Sequence, residues 1–196
     1  MNTSNSERVI RRWKLVLGCA FASLLSTANA SANKPKMVAP PKPPANVAAA
    51  FKFFIGSWQC TNSFHGLPGT PVVPPRKTKG RWTNKVVLNG HWMAGDAWEL
   101  SPKGKVHVAS MLIGYDPAAS RFIGFGASGN GSHVNFSSEG WKDAVWTDAV
   151  EAKMGGHTMQ MRVQIKQLGP RKLETSNEIK TPQGSWHKVK SGVCTR

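Results

Sequence analysis

Ten short runs that alternate apolar and polar residues constrain the fold of this chain more than any other feature. Turn-forming pairs separate the runs, among them Asn89-Gly90, Asp116-Pro117 and Gly155-Gly156. An Asn-Gly pair between two such runs is a strong β-hairpin signal. Evenly spaced strands with short turns are typical of an up-and-down meander, and closure into a barrel removes its exposed edges. We therefore predict an all-β fold, a single up-and-down antiparallel β-barrel of about ten strands, lipocalin-like or calycin-like. The predicted strands are 58–65, 80–88, 91–100, 106–115, 121–127, 133–138, 144–153, 158–167, 172–180 and 186–194.

A short N-terminal helical turn is predicted over residues 47–54, just before the first strand. It is rich in Ala and Phe and runs into Gly56, which can adopt the backbone conformation that ends a helix. Trp58 opens the strand, where its indole is well placed to plug one end of the barrel. Cys60 follows two residues later and therefore points to the same face as Trp58.

The first 30 residues have the pattern of a secretory signal peptide. A basic segment with Arg8, Arg11 and Arg12 precedes an apolar run over residues 15–25, and residues 28–30 read Ala-Asn-Ala, a small-x-small cleavage site. The run is shorter than the roughly 20 apolar residues of a membrane-spanning helix. A twin-arginine route and a lipoprotein site at Cys19 are the alternatives. We expect cleavage near Ala30 and a periplasmic or secreted protein.

Cleavage there leaves two cysteines, Cys60 and Cys194. An even number of cysteines in an exported protein favours a disulfide, which would join the first strand to the last. Two unpaired buried thiols are the alternative. A zinc site fits less well, because the two cysteines lack the closely spaced pairs that such sites use.

The segment 31–46 is predicted to be a tether, because it carries five prolines and three lysines and no apolar periodicity. The barrel domain is predicted over residues 47–196. Residues 31–196 retain 22 of the 26 basic and 9 of the 10 acidic residues, a formal charge of +13. Such a charge suits contact with an anionic envelope surface, and a solvated basic surface without such a partner is the alternative. Nucleic acid is not expected as a partner, because zinc-finger, helix-turn-helix and RNP patterns are all missing.

Several short motifs occur in a fixed order along the chain. They are Phe54-Ile-Gly-Ser-Trp58-x-Cys60, Leu88-x-Gly-x-Trp92, Gly114-Tyr-Asp-Pro-Ala118 with Phe122, Ser138-x-Gly-Trp141 and the closing segment from Trp186 to Cys194. In this order they resemble a family of bacterial secreted proteins of unknown function with a lipocalin-like or fatty-acid-binding-protein-like barrel. The resemblance covers about residues 50–196. It implies the barrel fold and an interior cavity, and it supplies no catalytic residues.

The familiar signatures of catalysis are missing, namely the Gly-x-Ser-x-Gly elbow, His-Glu-x-x-His and the P-loop. Asp148 and Glu151 are three residues apart in a strand and face opposite sides, so they form no ready-made acid–base pair, and the solvated exterior is the expected place for most carboxylates. No cofactor is predicted. A haem-binding barrel is kept as an alternative, and its candidate ligands are His107, His133, His187, Met111, Met159 and Met161.

The leading functional hypothesis is a non-catalytic barrel that binds a small hydrophobic or amphipathic molecule in its lumen. Its candidate lining residues are Trp58, Trp92 and the alternating set His107, Met111 and Tyr115, because aromatic walls with a few polar tips are typical of such sites. Arg162 could anchor a ligand carboxylate if it faces inward, with an outward, solvated position as the alternative. A cell-envelope interaction module with a packed lumen and an enzyme in the barrel mouth are the competing hypotheses.

Overall fold

The computed structural model describes residues 42–66 and 75–196, which form a closed antiparallel β-barrel preceded by one helix. The predicted signal peptide and residues 31–41 of the predicted tether lie outside the described residues. The helix α1 spans Ala45–Lys52. The strands are β1 Gly56–Phe64, β2 Arg76–Val87, β3 Trp92–Ser101, β4 Gly104–Asp116, β5 Arg121–Ser128, β6 His133–Lys142, β7 Val145–Met154, β8 His157–Gly169, β9 Lys172–Lys180 and β10 Trp186–Thr195.

Each strand pairs with its neighbour in sequence, and β1 pairs with β10 to close the barrel. The up-and-down topology and the strand number are thus as predicted. At the predicted hairpin between β2 and β3, Leu88, Asn89 and Gly90 all have positive φ. The largest differences in bounds are that β2 begins at Arg76, four residues before the predicted start, and β6 continues to Lys142.

One end of the barrel is plugged by α1 and the turn that follows it. Val47 and Phe51 of the helix and Phe54 of the turn are buried against Phe122 and Trp146 from two strands across the barrel. The Phe51 and Phe122 rings lie 5.7 Å apart between centroids. The chain then turns into β1 at a glycine with φ of 111°, a conformation that side chains disfavour.

The barrel seam is held by a second buried cluster at the same end. Trp58, Cys60, Leu173 and Cys194 form it, with Trp58 fully buried. Cys60 lies directly opposite Cys194 in the β1–β10 register, and the two form a disulfide, as predicted. The guanidinium of Arg196 lies over the Trp58 ring at 4.6 Å, and its Nη1 donates to the carbonyl oxygen of Ile55 at 2.6 Å. First and last strands are therefore tied by backbone pairing, a covalent bond and a terminal side chain.

A shift of register between β3 and β4 decides which β4 side chains face the lumen. Ala97 pairs with Ala109, but the next residue, Trp98, pairs with His107, so Val108 is left as the extra residue of a β-bulge. Because side chains alternate between faces, one extra residue inverts the alternation beyond it. His107 and Met111 are therefore on opposite faces of the barrel wall.

Candidate ligand cavity

An interior cavity of about 400 Å³ lies above the plug formed by α1 and the turn. Its wall is mostly apolar and includes two tryptophans and three methionines. The apolar side chains that line it are Phe54, Trp82, Met93, Ala97, Val108, Ala109, Met111, Ile113, Ala127, Val134, Phe136, Trp146, Val150, Met161, Val163 and Ile165.

A second pocket of about 470 Å³ forms the mouth at the unplugged end. It shares Trp82, Ala97, Val108, Ser128 and Lys190 with the interior cavity, so the two spaces adjoin. The mouth is more polar than the interior. Its charged and titratable lining residues are Arg76, Lys79, Glu99, His107 and Lys190. The side chain of His107 is directed outward to Asp96, and three of the other four residues are basic, so the mouth favours anions over cations.

Asp148 is a carboxylic acid in the apolar wall of the interior cavity. Its side chain is 9% exposed, and Oδ1 accepts a hydrogen bond from Nε1 of Trp146 at 2.7 Å. Burial raises the pKa of Asp148 to about 7, because desolvation disfavours the charged carboxylate, and the bond from Trp146 opposes this only in part. The group is therefore divided between its neutral and charged forms near neutral pH.

Lys190 lies at the boundary between the interior and the mouth. Its Nζ is 5.2 Å from the centre of the Phe64 ring, and it forms no ion pair or hydrogen bond with another side chain of the described segments. Burial lowers the pKa of Lys190, and the carboxylate of Glu99 partly opposes that effect. Glu99 is itself paired with Arg76 at 3.6 Å. The ammonium group of Lys190 is thus partly desolvated without a close counter-charge.

Two buried polar atoms flank Gly192, which follows Lys190 by two residues on β10 and lies on the same face of the wall. Asn62, Gly192 and Thr175 stand side by side across β1, β10 and β9. Asn62 Oδ1 and Thr175 Oγ1 have no hydrogen-bond partner among the described residues, and a Cβ built on Gly192 would come within 2.6 Å and 3.1 Å of them. Because buried polar atoms are normally satisfied, this row marks a place for a water molecule or a polar ligand group.

The comparison with protein families identifies the chain. Residues 44–196 match DUF1579, whose description is a protein of unknown function. The chain belongs to this family. The match covers the helix and all ten strands, as the resemblance in the sequence implied. Among curated proteins, no significant match to the chain exists.

Solved structures share the architecture of this DUF1579 barrel at low sequence identity. The crystal structure of Rv2717c from M. tuberculosis superposes with a TM-score of 0.56 at 10% identity, covering 78% of this chain and 98% of that one. A redesigned β-barrel, mFAP1, bound to DFHBI, has a TM-score of 0.37 at 12% identity, covering 78% of this chain and 100% of that one. The first likeness supports the fold, and no functional conclusion is drawn from either.

Of the predicted lining residues, Met111 lies in the wall of the interior cavity. Tyr115 lies nearer the plug, where its ring contacts Phe122 at 5.1 Å between centroids. Trp58 is fully buried in the seam cluster and is not part of the cavity wall. Trp92 is on the outer face, because its neighbour on β3, Met93, is buried and lines the cavity, and its ring covers Gly114 from that side. Trp58 therefore lies inside the barrel at its plugged end, as predicted, but it does not line the cavity, and Trp92 does not line the cavity either.

His107 faces outward, contrary to its expected place beside Met111, because the bulge inverts the alternation. Its Nε2 lies 3.2 Å from Asp96 Oδ1 and 3.1 Å from Ser110 Oγ, and Ser110 also donates to Asp96 at 2.6 Å. The hydrogen bonds lower the pKa of Asp96, Ser110 making the largest contribution. A catalytic triad uses the two ring nitrogens for different partners, whereas one nitrogen serves both here.

The other candidate haem ligands are spread over the wall. Met161 lines the cavity together with Met111, while His133 lies beside Phe125 on the outer face, with ring centroids 6.1 Å apart. No histidine of the described segments lines the interior cavity. The same segments contain no group of three or more His, Cys, Asp or Glu side chains placed to hold a metal ion.

Arg162 is on the outer face, the alternative position that the sequence left open. Its Nε and Nη2 donate to Glu178 Oε2 at 2.8 and 2.5 Å, and its guanidinium lies over the Trp186 ring at 4.7 Å. These partners occupy the guanidinium, so Arg162 does not anchor a ligand in the lumen.

Asp148 and Lys190 were missed as site residues, although the sequence carries a signal for each. Asp148 alternates with Trp146, Val150 and Ala152, so the strand period already places it on an apolar face. Lys190 precedes the buried Cys194 by four residues, so strand alternation places the two side chains on the same face. The expected exterior position is thus wrong for Asp148. No helix in the described part of the chain is long and apolar enough to cross a membrane.

Proposed function

We propose that this barrel binds a small amphipathic molecule, with its apolar part in the interior cavity and an anionic group beside Lys190. The observation that carries the proposal is an apolar cavity of about 400 Å³ that opens onto a partly buried ammonium group without a close counter-charge. Neither a fully packed lumen nor a purely apolar one has this combination.

The size and lining of the cavity suit a ligand of moderate size. Ligand sites range from about 300 to 1,000 Å³ and combine apolar walls with a few polar groups. Met111 and Met161 give the wall unbranched, adaptable side chains, which fit ligands of different shape. Trp82 and Trp146 add broad apolar surfaces at two heights in the lumen.

The polar end of the ligand is expected at the boundary with the mouth. A desolvated cation is stabilised by an anionic partner, and such charge-assisted hydrogen bonds are among the strongest in proteins. The side-chain amide of Asn62 lines the mouth and can donate a further hydrogen bond there. The basic residues of the mouth favour the approach of an anion.

The disulfide supports an oxidising compartment, since such bonds persist in secreted and periplasmic proteins. Together with the basic segment and apolar run at the N-terminus, it favours export. We place the ligand-binding step in the periplasm or outside the cell, where the surface charge also suits contact with anionic envelope components. An interaction-module function would then add to lumen binding rather than replace it.

The test uses 8-anilinonaphthalene-1-sulfonate, a fluorescent probe with an apolar body and an anionic group. Its emission should rise on binding to residues 31–196 produced with the disulfide formed. Lys190→Met should weaken binding by about tenfold or more, the value of one charge-assisted hydrogen bond. The matched control is Lys188→Met. Lys188 is exposed and lies opposite Glu178 in the β10–β9 register, outside the lumen.

A second pair of variants tests the location of the apolar part. Met111→Trp should block the probe by filling the cavity, whereas Met154→Trp, at an exposed position, should leave binding unchanged. Equal loss in Lys190→Met and Lys188→Met would show that general surface charge, not the lumen, attracts the probe. Full binding in Met111→Trp would place the probe elsewhere and overturn the proposal.

A further inference from the structure

We propose that Asp148, in its protonated form, donates a hydrogen bond to an uncharged acceptor on the buried end of the ligand, such as a carbonyl, an ether or a ring nitrogen. This inference rests on the proposed function, because it specifies the ligand of the same cavity. It assigns the ligand a second polar group, at the end opposite the anion.

The geometry leaves one carboxyl oxygen of Asp148 available. Trp146 Nε1 can only donate, so Oδ1 must act as the acceptor in that bond. A carbonyl oxygen accepts better than a hydroxyl oxygen, so the proton of the neutral acid is carried by Oδ2, and among the described residues the hydrogen bond of the Asp148 carboxyl group is the one at Oδ1. Asp148 lines the cavity, so this hydroxyl is a donor available to a molecule inside it.

The surroundings of Asp148 favour the neutral acid over the carboxylate. Across the two adjacent strands its partners are Ser138 and Val163, and neither is titratable. Ser138 Oγ already accepts from the Gly140 amide at 3.1 Å. On the same face of β7 and β8, the residues that flank Asp148 and Val163 are the apolar Trp146, Val150, Met161 and Ile165. Lys190 is the other titratable residue lining the cavity, and it lies at the boundary with the mouth.

A cationic ligand group is the obvious competitor, since it would pair with the ionised carboxylate. To reach Asp148 it would pass a mouth lined by Arg76, Lys79 and Lys190, with Glu99 as the acidic residue, and Glu99 is already paired. A ligand that displaces water from the cavity also removes the solvation that an ionised Asp148 needs. Both effects select a neutral acceptor, and both couple binding to the uptake of a proton.

The experiment compares two probes of similar size, 2-acetylnaphthalene with a carbonyl acceptor and 2-isopropylnaphthalene without one. Binding is read from quenching of Trp82 and Trp146, which line the cavity. At about pH 5.5 the acetyl compound should bind roughly three- to tenfold more tightly, the worth of one neutral hydrogen bond. At about pH 8.5 this preference for the acetyl compound should disappear, because a group that titrates near pH 7 is then almost wholly ionised and has no proton to donate.

Three variants separate the hydrogen bond from the charge. Asp148→Asn keeps a donor at every pH, so it should retain the acetyl preference and lose the pH dependence. Asp148→Leu should abolish both. Glu151→Gln is the matched control on the exposed face of the same strand and should behave like the wild-type protein.

The outcomes distinguish this inference from the proposed function. If the isopropyl compound and the anionic probe bind but the acetyl preference or the pH dependence is missing, the role of Asp148 is refuted and the cavity remains. If neither naphthalene nor the anionic probe binds at either pH, the proposed function fails as well. Tighter binding of 2-naphthylmethylamine than of the ketone at about pH 8.5 would assign a cation to Asp148 and overturn the inference.

Discussion

At the scale of single residues, two ionisable side chains in the cavity wall lower the stability of the folded state, and the fold does not require them. Asp148 is buried among apolar side chains, and Lys190 is partly desolvated without a close counter-charge. Burying a charge without a partner destabilises a protein, so apolar residues at these positions would give a more stable barrel. Positions where stability is lowered in this way are typical of binding sites.

The cost at Asp148 has a defined pH dependence. Its pKa is raised by folding from an ordinary value of 3.8 to about 7, so the folded protein binds the proton more tightly than the unfolded chain does. The free energy of unfolding therefore falls as pH rises from about 4 to about 7 and levels off above that. Asp148→Asn removes the titration and should gain a few kcal/mol over wild type at about pH 8, with little difference at about pH 4.

Urea unfolding of both proteins at the two pH values measures this effect. Glu151→Gln is again the control and should follow the wild-type protein. A wild-type barrel whose stability, relative to Asp148→Asn, rises with pH would mean that the folded state stabilises the carboxylate and would contradict the assignment.

At the scale of elements, the strands were predictable and the inner face was only partly so. Turn pairs and period-two alternation marked all ten strands, because hairpin chemistry is local. The side of each strand that faces the lumen depends on register. The β-bulge at Val108 places His107 and Met111 on opposite faces of the barrel wall, and no residue type at this position indicates a bulge. Trp92 was also misplaced, because an aromatic residue can cover Gly114 from outside as well as fill the core.

The same limit explains why the cavity could be proposed but not located. Its apolar wall alternates with an outer face that also carries large apolar residues, such as Phe125 at 49% exposure. Composition therefore does not separate inside from outside. The strand carrying Asp148 is the exception, because its buried positions alternate without a register shift from Trp146 to Ala152. There the period alone places the carboxyl group in the lumen.

The helix α1 is expected to contribute to stability through its plug and not through helix propensity, since it has only eight residues. Phe51→Ala should destabilise the barrel by about 3–5 kcal/mol, because Phe51 is 1% exposed and contacts Phe122. Phe125→Ala, on the outer face, should cost far less. The urea midpoints of the two variants give the comparison, and similar losses would show that α1 does not seal the barrel.

At the scale of the whole molecule, the barrel is asymmetric from one end to the other. The plugged end contains α1, the aromatic cluster and the disulfide, while the other end opens through a charged mouth. The packed, disulfide-linked end and the open mouth are thus at opposite ends of the same strands. The packing and the disulfide that close the seam between β1 and β10 are therefore separate from the open mouth.

The disulfide should therefore matter for stability and little for the shape of the cavity. It joins residues separated by 134 positions, and a closed loop of that size restricts the unfolded chain by up to about 5 kcal/mol in the chain-entropy model. In the folded barrel Cys60 and Cys194 are already opposite each other in the β1–β10 register. We expect the Cys60→Ser, Cys194→Ser double variant to lose a few kcal/mol in urea unfolding and to keep wild-type affinity for the anionic naphthalene probe.

Reduced wild-type protein should behave like the variant, and reductant should leave the variant unchanged. Loss of probe binding under conditions where the variant is fully folded would show that the seam also shapes the lumen, and an unchanged urea midpoint would show that backbone pairing alone closes the barrel.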